Sequence, residues 1–140
     1  MNFPAPRILK KLAVTASALA FSLLAMLPAH AAELIMFDRT GCPYCVKWKQ
    51  EVGPGYPNTA EGALAPLRIH NIADGQIKDV ELKRPVRFSP TFVLVDKGRE
   101  IDRITGYLDN ATFWGLYAPM IERLKAQMTA IQIPQKDLGK

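Results

Sequence analysis

Cys42 and Cys45 are the only cysteines in the 140-residue chain, and they stand three apart in Cys42-Pro43-Tyr44-Cys45. No other residue can complete a disulfide with either of them. A loop this small cannot brace a domain, because disulfide stabilisation grows with the length of chain it closes. The value of the pair is chemical: two thiols near enough to form and break one bond repeatedly. The nucleophile in such chemistry is the thiolate, so one of the two must lose its proton near neutral pH. Thiolates also bind metals. Structural zinc takes four ligands, and beyond residue 31 the chain offers these two cysteines and the distant His70. Copper(I) accepts two thiolates, so a copper(I) carrier is the competing reading. No other metal or cofactor is called for.

The residues on either side supply the means to hold the pair in place. Leu34, Ile35, Met36 and Phe37 form a short, continuous apolar run, the pattern of a central strand buried on both faces. Residues 38–41 make a turn that includes Gly41. Thr40 or Cys42 then caps a helix with Pro43 at its first position, where a missing N–H costs nothing. Cys45, Trp48 and Val52 repeat at helical spacing and face the core, leaving Cys42 at the reachable tip and Cys45 one turn in. A helix N-terminus carries about half a positive charge, which favours a Cys42 thiolate.

Residues 1–31 are set apart from this arrangement. Arg7, Lys10 and Lys11 precede an apolar run over residues 12–27, and Ala29-His30-Ala31 reads as a cleavage site. The run holds 16 residues, short for a membrane span, so a secretory signal peptide is expected over 1–31, with an uncleaved N-terminal anchor as the alternative. Either way the domain faces outward, into a compartment such as the periplasm where disulfide exchange is permitted. Beyond it lie 109 residues, room for one core. The net charge of +5 falls to +2 once three basic residues of the leader are removed. There is no basic block interleaved with aromatics, which argues against nucleic-acid binding.

The rest of the chain supplies further elements. Gly53-Pro54-Gly55-Tyr56-Pro57 ends the first helix, and Asn58 or Thr59 starts a short helical piece ending before Pro66. Residues 67–72 alternate as a half-exposed edge strand carrying His70, which reads as a surface residue. Asp74 caps a helix expected over residues 76–83, with Ile77 and Val80 inward and Pro85 ending it. Thr91 to Val95 is the most strand-like run, followed by a turn at Asp96-Lys97-Gly98-Arg99 and an antiparallel return over 100–104. Asp109 or Asn110 caps a final helix, in which Phe113, Leu116, Met120, Ile121, Leu124 and Met128 are expected to face the core. The domain thus spans residues 32–131, and a flexible tail is expected over 132–140.

The order β-α-β-α-β-β-α, with the cysteine pair after the first strand and Ser89-Pro90-Thr91 opening the third, resembles the thioredoxin fold. That resemblance implies an α/β domain with a four-stranded mixed sheet flanked by helices. Cys42-Pro43-Tyr44-Cys45 matches the glutaredoxin form of the site. The export signal and the Tyr56-Pro57-Asn58-Thr59 insertion are more similar to periplasmic thioredoxin-like proteins, including the regulators encoded with sulfur-oxidation genes. The resemblance further implies that Pro90 is a cis-proline opposite the cysteines, and that Ser89, Pro90, Thr91 and Tyr44 meet the substrate. In one place the chain departs from the family. Thioredoxins bury an acidic residue six positions before the first cysteine, where it helps accept the proton of the second; here that position is Met36.

The resemblance implies a thiol-disulfide oxidoreductase in which Cys42 attacks and Cys45 resolves. Strong periplasmic oxidants carry a histidine between the cysteines and reach about −120 mV, against roughly −200 to −230 mV for glutaredoxins. Tyr44 brings no positive charge, which favours reduction or exchange over oxidation, with a disulfide-introducing oxidant as the alternative. The expected partners are exported protein thiols and disulfides, and a membrane thiol relay as electron donor to a monomeric protein. Trp48 reads as a core anchor, Tyr56 and Phe88 as residues able to line a substrate groove, and Arg39 and Arg87 as flanking charges.

Overall fold

The structure, a computed structural model, describes residues 32–132. The expected signal peptide, and the tail beyond residue 132, lie outside them. Among the described residues no helix is long and apolar enough to cross a membrane. Strands β1 (Ala32–Asp38), β2 (Leu67–Asn71), β3 (Thr91–Asp96) and β4 (Arg99–Thr105) form one mixed sheet in the order β2-β1-β3-β4. β1 runs parallel to β2 and antiparallel to β3, and β3 pairs antiparallel with β4. The apolar run of β1 is therefore central, as its composition requires, and the alternating β2 is at an edge.

Each face of the sheet has its own apolar layer. Leu34 and Met36 of β1 join Phe92 and Leu94 of β3 beneath α1 (Pro43–Glu51) and α3 (Asn110–Gln132), packed around Trp48, Tyr56, Phe113 and Tyr117. Ile35 and Phe37 turn the other way with Val93 and Val95. A short helix, α2 (Ala60–Leu64), is capped by Thr59, whose hydroxyl accepts the Gly62 N–H at 2.9 Å.

The helix expected over residues 76–83 does not form. After a 3₁₀ turn at Ile72–Asp74, the chain covers the second face with irregular backbone through Ile77, Val80, Leu82 and Val86. Val80 and Leu82 lie on this face at a spacing of two, which is the strand period, and β4 captures the backbone between them. Glu81 N–H donates to the Gly98 carbonyl at 2.7 Å and the Glu81 carbonyl accepts from Glu100 N–H at 3.0 Å. Glu100 accepts the Lys83 N–H at 2.8 Å and Arg103 donates to the Arg84 carbonyl at 2.8 Å. Tertiary hydrogen bonds thus replace the helical ones, so the order between β2 and β3 lacks the expected second helix while the sheet is as expected.

α3 is capped by Asp109, whose carboxylate accepts the Thr112 N–H at 2.8 Å and is thereby held below the usual carboxylate range. It buries Phe113, Tyr117, Met120, Ile121 and Leu124. Leu116, expected inward, is exposed because Tyr117 takes the inward position one residue further on, and Met128, also expected inward, is exposed as well. α3 reaches Gln132, one residue past the expected domain end.

Candidate active site

The turn after β1 brings Cys42 to the N-cap of α1, with Gly41 at φ +79°, the left-handed region in which a side chain is strained. Cys42 has extended backbone and its N–H donates to the Arg39 carbonyl at 3.1 Å, while Pro43 occupies the first turn. Cys42 and Cys45 are joined as a disulfide with Cα atoms 5.3 Å apart. The Cys45 N–H donates to Cys42 Sγ at 3.2 Å. Cys45 is 1% exposed and Cys42 8%, so access to the pair is from the Cys42 side.

Ser89 faces that side. The Ser89–Pro90 peptide bond is cis, and the Ser89 carbonyl oxygen lies 3.5 Å from Cys42 Sγ. Gly106, at φ +90°, donates its N–H to the Pro90 carbonyl at 2.7 Å, tying the loop to the end of β4. Thr91 is buried, and its hydroxyl donates to the Phe88 carbonyl at 2.8 Å. The Thr91 side chain therefore shapes the loop from within.

Tyr44 is exposed and stands between two depressions. One, of about 450 Å³, contains Arg39, Gly41, Cys42 and Ser89. The other is an apolar groove of about 540 Å³ that passes Phe88 and Pro90 to Leu108 and Leu116. The exposure of Leu116 now has a place, since it forms part of the groove wall. Lys47 Nζ donates to the Leu108 carbonyl at 2.8 Å and Tyr107 Oη to Glu51 at 2.6 Å, which ties α1 to the groove wall.

Other candidate residues are placed away from the cysteines. Tyr56 is fully buried; its hydroxyl donates to the Ala65 carbonyl at 2.7 Å and pairs with Tyr117 Oη at 2.7 Å. Burial pushes both phenols upward in pKa; the Tyr117 hydroxyl adds to the rise at Tyr56, whereas at Tyr117 the hydrogen bond with Tyr56 offsets part of it, and Tyr56 lines no groove. His70 sits edge-on to Phe37 and bonds the Gly75 carbonyl at 2.9 Å, a structural role. Trp48 is a core anchor, packed on Phe92 and Phe113. Arg87 does not line either depression, while Arg39 lines the smaller.

Sequence reasoning passed over Asp38, reading it only as a turn residue. Its carboxylate and the two cysteine sulfurs lie within 4.8 Å of one another. The carboxylate also pairs with Lys49 Nζ of α1. The signal was the period of two in β1: Leu34 and Met36 face the cysteine layer, and Asp38 is next on that face. As a metal site the trio is poor, because an ammonium already occupies the carboxylate.

A family model described as a thioredoxin-like domain matches residues 26–120. Among solved structures, the periplasmic thioredoxin SoxS from Paracoccus pantotrophus, in its reduced form, is 40% identical with a TM-score of 0.64, over 66% of this chain and 98% of that one. A thioredoxin of Malassezia sympodialis, Mala s 13, is 21% identical with a TM-score of 0.46, over 66% of this chain and 77% of its own. No curated protein matches. The mixed four-stranded sheet, the cysteine pair after its first strand, the family-model match and the 40% identity to the periplasmic thioredoxin lead to one conclusion: the chain belongs to the thioredoxin-like family and has the equipment of a thiol-disulfide oxidoreductase.

Proposed function

We propose that the protein reduces or exchanges disulfides on exported proteins, with Cys42 as nucleophile and Cys45 as resolving thiol. The observation that carries this reading is the asymmetry of the pair. Cys42 caps α1 beside the open depression and the Ser89 carbonyl, while Cys45 is sealed one turn behind it. The N-terminus of α1 and the Cys45 N–H both favour negative charge on Cys42 Sγ. The Cys42 thiol is therefore expected to ionise well below the ordinary value of about 8.5.

In this mechanism the Cys42 thiolate attacks one sulfur of a substrate disulfide and expels the other as thiolate. A client chain lies along the groove past Tyr44, Pro90 and Phe88. Cys45 then attacks Cys42 Sγ, closing the intramolecular disulfide and releasing the second substrate thiolate. The protein leaves this cycle oxidised and needs a thiol donor; outside the cytoplasm a membrane thiol relay is the fitting class of donor. A periplasmic address agrees with the leader-like residues 1–31 and with the location named for the 40%-identical relative.

The test is trapping. Cys45→Ser should accumulate a mixed disulfide with a client when expressed in a periplasm, and Cys42→Ser should accumulate none. Trapping by Cys42→Ser alone would reverse the two roles. Capture by neither, together with stoichiometric copper(I) in anaerobically purified protein, would replace the enzyme with a metal carrier.

A further inference from the structure

Met36 leaves this chain without an acid at the buried position where thioredoxins carry one, so the proton on Cys45 needs another acceptor. Met36 is fully buried and Cys45 nearly so, which keeps bulk water from the thiol. Asp38 is two residues further along β1 on the same face, at the strand end nearest the cysteines. Its carboxylate is within 4.8 Å of both sulfurs, and among the described residues no imidazole or second carboxylate joins that cluster.

The carboxylate is built into its position. Its side chain is 15% exposed; one oxygen accepts the Arg39 N–H at 2.6 Å and the other pairs with Lys49 Nζ. Lys49 comes from α1, the helix that carries both cysteines, so the ion pair fixes the acid relative to the thiols. The remaining surroundings are neutral or turned away. β2 places Asn71 opposite Asp38 in the pairing, and His70 is on the Phe37 face of the sheet, bonded to the Gly75 carbonyl. β3 brings Thr91 against Phe37, and the other charge at the turn is Arg39 itself.

We propose that Asp38, anchored by Lys49, accepts the Cys45 proton when the mixed disulfide is resolved; this rests on the roles given above to the two cysteines. The Cys45 thiol gives its proton to the Asp38 carboxylate, directly or through one water. The resulting thiolate attacks Cys42 Sγ, the Cys42–Cys45 bond forms and the Cys42–substrate bond breaks. The electron pair leaves with the substrate sulfur, which takes up the proton from Asp38 or from solvent. The substrate disulfide is thereby reduced by two electrons and the protein dithiol oxidised by two. A carboxylate is a far stronger base than water, and one fixed beside the thiol needs no diffusional encounter.

The two chemical steps separate when the reduced protein meets 5,5′-dithiobis(2-nitrobenzoate) in a stopped-flow instrument. Attack by Cys42 releases one coloured thiolate, and resolution by Cys45 releases a second. In Asp38→Asn the first phase should change by no more than about threefold. The second should slow by about tenfold or more at pH 6 and become proportional to hydroxide concentration, with Asp38→Glu recovering part of the rate. Lys49→Met should slow the second phase by a smaller factor. A second phase in Asp38→Asn within twofold of the wild type from pH 5 to pH 8 would overturn the proposal, as would an equal loss in both phases. A first phase that survives Cys42→Ser has a different meaning: it would remove the nucleophile assignment underneath.

Discussion

Replacing Glu100 by Gln examines whether one buried carboxylate holds the segment that carries Ser89 and Pro90. The Glu100 side chain is 2% exposed and that of Arg103 8%. Glu100 accepts Arg103 Nε at 2.6 Å and the Lys83 N–H at 2.8 Å. Burial alone would raise its carboxyl, but the Arg103 and Lys83 hydrogen bonds outweigh burial and hold it below the ordinary 4.5. Removing one charge of a buried pair costs about 3–5 kcal/mol. The amide keeps a carbonyl for the Lys83 N–H, so the low end, about 3 kcal/mol, is expected. A domain of this size has about 5–15 kcal/mol in total, and a urea slope of about 1–3 kcal/mol per M puts the midpoint roughly 1–3 M lower. The pH dependence has a definite sign. A carboxyl depressed on folding adds stability in full above its unfolded value near 4.5, and the gain is lost as pH falls through the folded value. The wild-type and Glu100→Gln midpoints should therefore differ most at neutral pH and converge in acid. Urea titrations at about pH 7, 5 and 3.5, followed by tryptophan fluorescence, measure both effects. A difference under about 0.3 M at pH 7, or one that does not narrow in acid, refutes the reasoning. The double replacement Glu100→Met with Arg103→Leu should recover most of the loss, since no charge is then left buried.

Phe88→Ala, at a side chain 67% exposed on the groove, should lower kcat/KM for insulin about three- to tenfold by raising KM. Turnover of a small aromatic disulfide should be unaffected; equal loss on both substrates would remove the groove from client binding. Gly62→Ala places a Cβ 2.0 Å from the Tyr56 carbonyl oxygen, which is backbone and cannot step aside cheaply. It should destabilise by about 1–3 kcal/mol or more, read as a lower thermal midpoint, and an unchanged midpoint would show that the insertion is not held as described.

Local signals made the reactive half of the site readable. Two cysteines, a helix-starting proline and an apolar run are all statements about near neighbours in sequence, and each translates directly into an N-cap on a central strand. Pro90 opposite Cys42 came from family resemblance, because nothing in residues 85–90 by themselves points 47 positions back along the chain. The failed helix over 76–83 shows the limit of periodicity. Ile77 and Val80 fit a helical face, but Glu81 could be paired with β4 only once the hairpin existed to receive it. Leu116 and Tyr117 show the same limit at one residue's resolution, since both are apolar enough for the core and packing around Trp114 and Phe113 decided between them. Asp38 was legible and missed: its face of the strand was already known from Leu34 and Met36.

Asp38 also bears on the direction of electron flow, independently of any part in proton transfer. A unit charge at about 5 Å is worth about 1 kcal/mol in water-like surroundings and about 3 kcal/mol at an effective dielectric near 20. The carboxylate thus opposes the stabilisation that α1 gives a Cys42 thiolate, and Lys49 returns part of it. Taking about 1 kcal/mol as the net, Asp38→Asn should lower the pKa of the Cys42 thiol by removing a nearby negative charge. Stabilising the thiolate stabilises the reduced form, so the potential should rise by about 20 mV, toward the oxidants. Lys49→Met should do the reverse, leaving the carboxylate unneutralised and the potential lower by a similar amount. Equilibration of each variant with glutathione buffers measures the shifts. Opposite signs for the two variants are what a charge effect requires, whereas general loosening of the site would move both the same way. Shifts of one sign would refute the electrostatic account. The expected signs mean that the Asp38 charge, within reach of both sulfurs, biases the protein toward donating electrons.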